Sequence, residues 1–153
     1  VIPTLESLPD GNYRYLAGEV EARAYSDEEV RSHGGSVFIL KKQGNTVTGN
    51  LLPRLGLPGI CVTGTVSGDI ITGAAYPYDT TDSLQDSARD LGETFEPYGS
   101  GALQIRRTTR PAEGGLYYAG AVLDLAGFSR INAGSTRPPE GCSVGRTGFR
   151  DQQ

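Results

Sequence analysis

The chain has 153 residues and a formal net charge of −4, enough length for one domain that buries roughly 70% of its unfolded surface and needs no metal to fold. No dense Lys/Arg stripe with interleaved aromatics is present, which excludes an ordinary nucleic-acid binder, and no run approaches 18 apolar residues, so no membrane span is encoded. The charge is uneven: residues 1–99 carry 14 acids against 7 Lys/Arg, whereas residues 100–153 carry 4 acids against 7 Arg, an end suited to an acidic partner.

With 22 Gly, 9 Pro and neither Trp nor Met, the composition points to short strands joined by tight turns. Leu8-Pro9-Asp10-Gly11 is a turn. It opens a strand over Asn12–Ala22, where Tyr13, Tyr15 and Ala17 alternate with Arg14 and Leu16. Ser26 and Glu29 make a capping box for a helix of two turns at most, with His33 in its last turn and Gly34-Gly35 stopping it. Ser36–Lys42 is apolar on both faces, as in a strand covered on both sides. Gln43-Gly44-Asn45 turns it into Thr46–Leu52, a Pro/Gly loop leads to Ile60–Val66, and Ser67-Gly68-Asp69 turns into Ile70–Tyr76. These four runs predict an antiparallel meander.

A triplet recurs once per strand: Val47-Thr48-Gly49, Val62-Thr63-Gly64 and Ile71-Thr72-Gly73. It sets the β-branched residue on one face and Thr on the other, while Gly permits the close backbone approach of a curling sheet. Spacings of 15 and 9 residues are too irregular for a solenoid. A long insertion, Tyr76–Pro97, holds a short helix capped by Asp82 with Leu84, Ala88 and Leu91 on one face. Strands at Gly101–Thr109 and Leu116–Leu125 follow, and residues 126–153 read as an irregular tail. The expected fold is therefore all-β in a single domain over 1–153. About seven antiparallel strands form a small meander barrel, or alternatively a twisted β-sandwich, with two short helices.

Cys61 and Cys142 are too few for a metal site and do not form a CxxC pair. The favoured reading is a disulfide that anchors the Gly/Pro-rich tail; its loop of about 80 residues stabilises by about 4–5 kcal/mol in the chain-entropy model. The alternative is two idle thiols. The sequence begins at Val1 without Met, which is read as a processed product.

Residues with catalytic chemistry are sparse. His33, the one histidine, fits a helix C-terminus better than a catalytic triad. Asp79, Asp82, Asp86, Asp90 and Glu93 recur every three or four residues but lack a calcium-loop pattern, so they are read as a solvated helix face. Asp124, in an apolar strand end, is expected to pair with Arg106, Arg107 or Arg130, ahead of acting as a hydrolytic acid. Gly99-Ser100-Gly101 leads into a strand and lacks the helix N-terminus of a phosphate site. No catalytic residue, metal or cofactor is assigned. Aromatics are the better binding candidates: Tyr76, Tyr78, Tyr98, Tyr117 and Tyr118 suit a groove or rim, and Tyr76-Pro77-Tyr78-Asp79 sits at a strand exit.

Several stretches together resemble a family of uncharacterised exported cyanobacterial proteins. They are Leu8-Pro9-Asp10-Gly11-Asn12-Tyr13-Arg14-Tyr15, Lys42–Gly49, Ala75-Tyr76-Pro77, Gly92-Glu93-Thr94-Phe95, Leu123–Gly134 and Pro138-Pro139 followed by Cys142. The resemblance covers most of residues 8–142, and Gly127-Phe128-Ser129-Arg130-Ile131-Asn132-Ala133-Gly134 is its most specific part. It implies an exported address (periplasm, thylakoid lumen or extracellular) and no particular activity. The meander also looks like calycin barrels, although the absence of Trp argues against their usual strand signature; that likeness concerns fold alone.

The resulting expectation is an exported, non-enzymatic β-domain that serves as an interaction or structural module in a protein assembly. Its candidate partner- or ligand-binding residues are Tyr76, Tyr78, Asp79, Tyr117, Arg130 and Asn132. Protein partners or self-association are expected, and the terminal segments suit strand addition to a neighbouring sheet edge. The alternatives are a calycin-like carrier of a small apolar or glycan ligand, and a weak hydrolase using Asp124.

Overall fold

The structure is a computed structural model that describes residues 4–18, 20–21, 23–55, 59–77, 90–98, 101–112, 115–134 and 136–142. Its strands are β1 (Gly11–Ala17), β2 (Val37–Gln43), β3 (Thr46–Leu52), β4 (Ile60–Ser67), β5 (Ile70–Pro77), β6 (Glu96–Tyr98), β7 (Leu103–Thr109), β8 (Tyr117–Asp124) and β9 (Phe128–Ile131). All join one antiparallel sheet in the order β6-β7-β8-β5-β4-β3-β2-β1-β9, curled into a half-barrel. The expected meander of four runs forms β2 to β5, β1 pairs with β2, and the β7–β8 hairpin attaches through β8 to β5. Within the expected irregular tail, Phe128–Ile131 instead form β9, paired with β1.

Alternation along the strands separates two faces. Tyr15, Phe38, Leu40, Val47, Ile60, Val62, Ile71, Leu103, Tyr118 and Leu123 point inward and make the main core. The recurrent triplet explains the curl. Val47 and Gly49 face inward with Thr48 outward, and Gly64 lies directly opposite Gly73. A Cβ on Gly64 would meet the Thr72 carbonyl oxygen at 2.1 Å, and one on Gly73 the Thr63 oxygen at 2.0 Å, so only glycine allows the backbones this close. The short link Leu125–Gly127 carries the chain from β8 to β9, which draws the two flanks of the sheet together at that end. There the Leu125 N–H donates to the Asp69 carbonyl and the Leu5 N–H to the Asp69 carboxylate, so a 3-10 turn, Leu5–Ser7, closes the curl.

A second, smaller core lies outside the sheet. Helix α1 (Asp27–His33) has the expected capping box between Ser26 and Glu29 and ends at Gly34. Its Val30 packs with Tyr25, Leu55 and the outward side chains Leu16, Val37, Ile39, Leu52 and Ile131. This explains why β2 is apolar on both faces. The helix expected from Asp82 falls outside the described residues except at its end.

Candidate functional site

The inside of the curl is full. Phe38, Leu40, Ile60, Val62, Ile71, Leu103 and Leu123 have no accessible surface, so side chains occupy the space a carrier would reserve for a ligand.

Arg14 organises the outer face over β1 and β2. Its side chain is 0% exposed and lies among the apolar residues of the second core. Nη1 donates to Asp27 Oδ1 at 2.7 Å, Nη2 to the Tyr25 carbonyl at 3.0 Å and Nε to the Asn132 carbonyl at 2.8 Å. One guanidinium thus ties the sheet to α1, to the loop before it and to the chain after β9. Gly134 packs so close to Arg14 that a Cβ there would approach Nη1 to 2.5 Å. Asn132 completes the junction, its amide accepting from the Tyr25 N–H at 2.6 Å and donating to the Tyr25 carbonyl at 2.9 Å.

From this junction a strap of residues 132–142 crosses the outside of β2 and β3 to reach β4. Glu140 pairs with Lys41 of β2 at 2.9 Å, and Cys142 forms a disulfide with Cys61 of β4, Cα to Cα 5.5 Å. The expected bridge is present. The Lys41 ammonium holds the exposed Glu140 carboxyl below its usual range. Next to Cys61, in register on β5, stands Tyr76, whose ring stacks on Tyr117 of β8 with centroids 4.8 Å apart and planes 11° apart. Partial burial, then Tyr117, raises the Tyr76 phenol.

Two of the sequence candidates, Tyr76 and Tyr117, are therefore brought together, while Tyr78 and Asp79 lie outside the described residues. Asn132 belongs to the Arg14 junction. Arg130 is exposed on β9, with its guanidinium carbon 5.9 Å from the Tyr13 ring centroid. Tyr118 is part of the core and Tyr98 packs against it. The expected pairing of Asp124 is corrected. Its register at the end of β8 leaves it exposed, and its carboxylate accepts the Ala126 N–H at 2.9 Å, capping the turn. Arg107 pairs with Glu93 instead, and Arg106 lies 4.3 Å over the Phe95 ring. Asp90 pairs with Arg110. Among the described residues no three His, Cys, Asp or Glu side chains cluster as metal ligands. No described helix is long and apolar enough to cross a membrane.

Beyond the strap, the outer face is open. Successive register pairs set Pro97, Gln104, Val122, Thr72, Thr65, Thr46 and Gln43 in one row across seven strands, every member exposed or half-buried. None is charged. A flanking row holds Ser67, Ile70 and Asp124, with Ile70 41% exposed. The row on the other side runs through Lys41, Thr48, Thr63 and Ala74 and, past a register shift between β5 and β8, on to Gly120 and Arg106; Arg106 lies across Gly120, where a Cβ would come within 2.7 Å of its Cγ. The sequence marked these threonines only as one half of the triplet. The register is what assembles them into a surface.

No family model, curated protein or solved structure matches the chain.

The opposite face has one group with a pH signature. Burial, then the Asp69 carboxylate, pushes the Tyr15 phenol up to about 12. Between pH 10 and 12 the unfolded chain has released this proton and the folded chain has not. The Tyr15 contribution to stability is thus level below pH 10 and falls as pH rises, by roughly 2–3 kcal/mol at pH 12. Urea denaturation across this range measures the decline, and Tyr15→Phe removes that contribution.

Proposed function

We propose that the chain is an exported, non-enzymatic β-domain that acts as an interaction module in a protein assembly. Its contact surface is the open outer face of β3, β4, β5, β8 and β7, and its partner is a second copy of the same chain. The uncharged row from Pro97 to Gln43 carries this reading. Burying it strips water from hydroxyls and methyls but from no ion, and hydroxyls on paired surfaces can hydrogen-bond each other, as the Thr48 and Thr63 oxygens do at 3.3 Å.

Charge on the flanks selects a copy as the occupant. A two-fold axis lying along the threonine row turns the Ser67–Ile70–Asp124 row of one molecule onto the Thr63–Ala74–Gly120 row of the other. Asp124 then meets Arg106, Ile70 meets Ala74 and Ser67 meets Thr63, so the face complements itself. With strands about 4.8 Å apart and like-facing side chains about 7 Å apart, the three rows cover roughly 400 Å². A standard interface takes about 800 Å² per partner, so the association is weak. A disulfide and the resemblance to exported proteins support the exported address. The filled interior favours contact through the surface over carriage of a ligand.

Sedimentation equilibrium from about 10 μM to about 1 mM tests this. The wild-type mass rises towards that of a dimer, Thr72→Arg stays monomeric, and mixing Asp124→Arg with Arg106→Asp restores association that Asp124→Arg alone loses. A wild-type chain that remains monomeric throughout, or a Thr72→Arg chain that dimerises equally, overturns the reading.

A further inference from the structure

The strap is held by little. Among the described residues, no backbone–backbone hydrogen bond attaches residues 132–142 to the rest of the molecule. Pro138 and Pro139 lack the N–H that would allow one. Up to Gly134 the Arg14 junction holds the strap. Past it, the attachments are the Lys41–Glu140 pair, whose Glu140 is 95% exposed, the half-buried Pro138 and Pro139, and the Cys61–Cys142 bond, beside which the Gly141 carbonyl lies 3.7 Å from Cys61 Sγ. An ion pair that open to water retains a segment poorly. The strap nevertheless lies beside the open face. Thr48 is 9% exposed, although its register partner Thr63 and the adjacent row's Thr46 and Thr65 are more open. Two sheets pack face to face at about 10 Å, and a chain lying on β2–β4 is thick enough to hold a second sheet off that part of the surface.

We propose that the Cys61–Cys142 disulfide is a redox latch: oxidised, it holds residues 136–142 on the sheet as a wedge, and reduced, it frees them, so that the contact face extends from Thr63 over Thr48. This rests on the self-association reading and adds its regulation. Cys142 is half-buried and Cys61 fully buried, so an incoming thiolate attacks Cys142 Sγ. The Sγ–Sγ bond breaks, Cys61 leaves as a thiolate that takes up a proton, and a mixed disulfide forms on Cys142. The second thiol of a dithiol reductant resolves it. The protein gains two electrons and two protons, and the reductant becomes a disulfide. Arg14 keeps the root of the strap in place throughout.

The experiment compares the oxidised chain, the chain in dithiothreitol, and Cys142→Ser, using two readouts. Heteronuclear NOEs at the amides of Arg137, Glu140 and Gly141 report the strap, with the amides of β3 and β4 as an internal record of the fold. Sedimentation equilibrium reports association. Reduction, like Cys142→Ser, is expected to collapse the strap NOEs, leave the strand amides dispersed and shift dimerisation to about tenfold lower concentration. Unchanged strap NOEs overturn the latch and leave the face reading standing. Loss of the strand amides also overturns it, because the bond then holds the fold and gates nothing. A freed strap with monomers in both states overturns the face reading, and the coupling falls with it. A freed strap with unaltered dimerisation overturns the coupling alone.

Discussion

Arg14→Met is expected to lower the unfolding free energy by about 3–5 kcal/mol, the usual cost of removing one member of a buried ion pair. The substitution keeps the volume and the apolar stem. It removes the ion pair from the Asp27 carboxylate and the donor from the Asn132 carbonyl, and leaves the Tyr25 carbonyl to the Asn132 amide. In a domain of this size each kcal/mol moves the melting point by about 2–4 °C, so a loss of roughly 6–20 °C follows. Arg14→Lys retains the charge without the fork that reaches three acceptors in three directions, and it falls between the two. Thermal melting followed by far-ultraviolet circular dichroism measures both. A loss below about 1 kcal/mol for Arg14→Met, the scale of an exposed pair, means the side chain does not hold the helix and the strap to the sheet.

Gly73→Val is expected to abolish the native fold, and Gly73→Ala to cost about 1–3 kcal/mol or more, at the upper end of what overpacking does. A Cβ at this position lies 2.0 Å from the Thr63 carbonyl oxygen and 2.6 Å from the Gly64 Cα, and backbone in the middle of a paired sheet cannot step aside. Gly92→Ala is the control. No atom lies within 4 Å of its added carbon and its backbone is not left-handed, so its urea midpoint stays within about 0.5 kcal/mol of wild type. Equal effects at Gly73 and Gly92 mean that the close strand approach does not set the curl.

The hairpins and the curl were legible because their causes are local. Gly44 and Gly68 take the positive φ that the β2–β3 and β4–β5 turns require, and the Val-Thr-Gly triplets carry alternation and close approach within three residues. The capping box of α1 is equally local, a contact between residues three apart. What escaped the sequence depends on residues far apart along the chain. Arg14 reads as the polar member of an alternating strand. Its burial depends on Asp27 and on Asn132, 118 positions away, so nothing in its neighbourhood reveals that it sits inside a second core. Asp124 looked like half of an ion pair because arginines are abundant nearby in sequence, yet the register gives those arginines to Glu93 and Phe95 and leaves Asp124 to its own turn. The disulfide could be favoured from composition, but the path of the strap it fastens could not.

The candidate surface shows the same division. Each threonine of the row is visible as the outward residue of a strand. Only the pairing of β3 with β4, β4 with β5 and β5 with β8 sets Thr46, Thr65, Thr72 and Val122 side by side. Tyr76 and Tyr117 were singled out as amphipathic rings, and it is the β5–β8 contact, with β6 and β7 placed beyond β8, that stacks them.

Isotope-filtered NOE spectroscopy on an equal mixture of ¹³C-labelled and unlabelled chain, at a concentration where dimer forms, looks directly at the shared surface. Cross-peaks between molecules should arise from the methyls of Thr65, Thr72, Val122 and Ile70. Cross-peaks confined to another surface, such as the β9 edge or α1, or none from a sample that sediments as a dimer, would place the contact elsewhere and contradict the role given to this face.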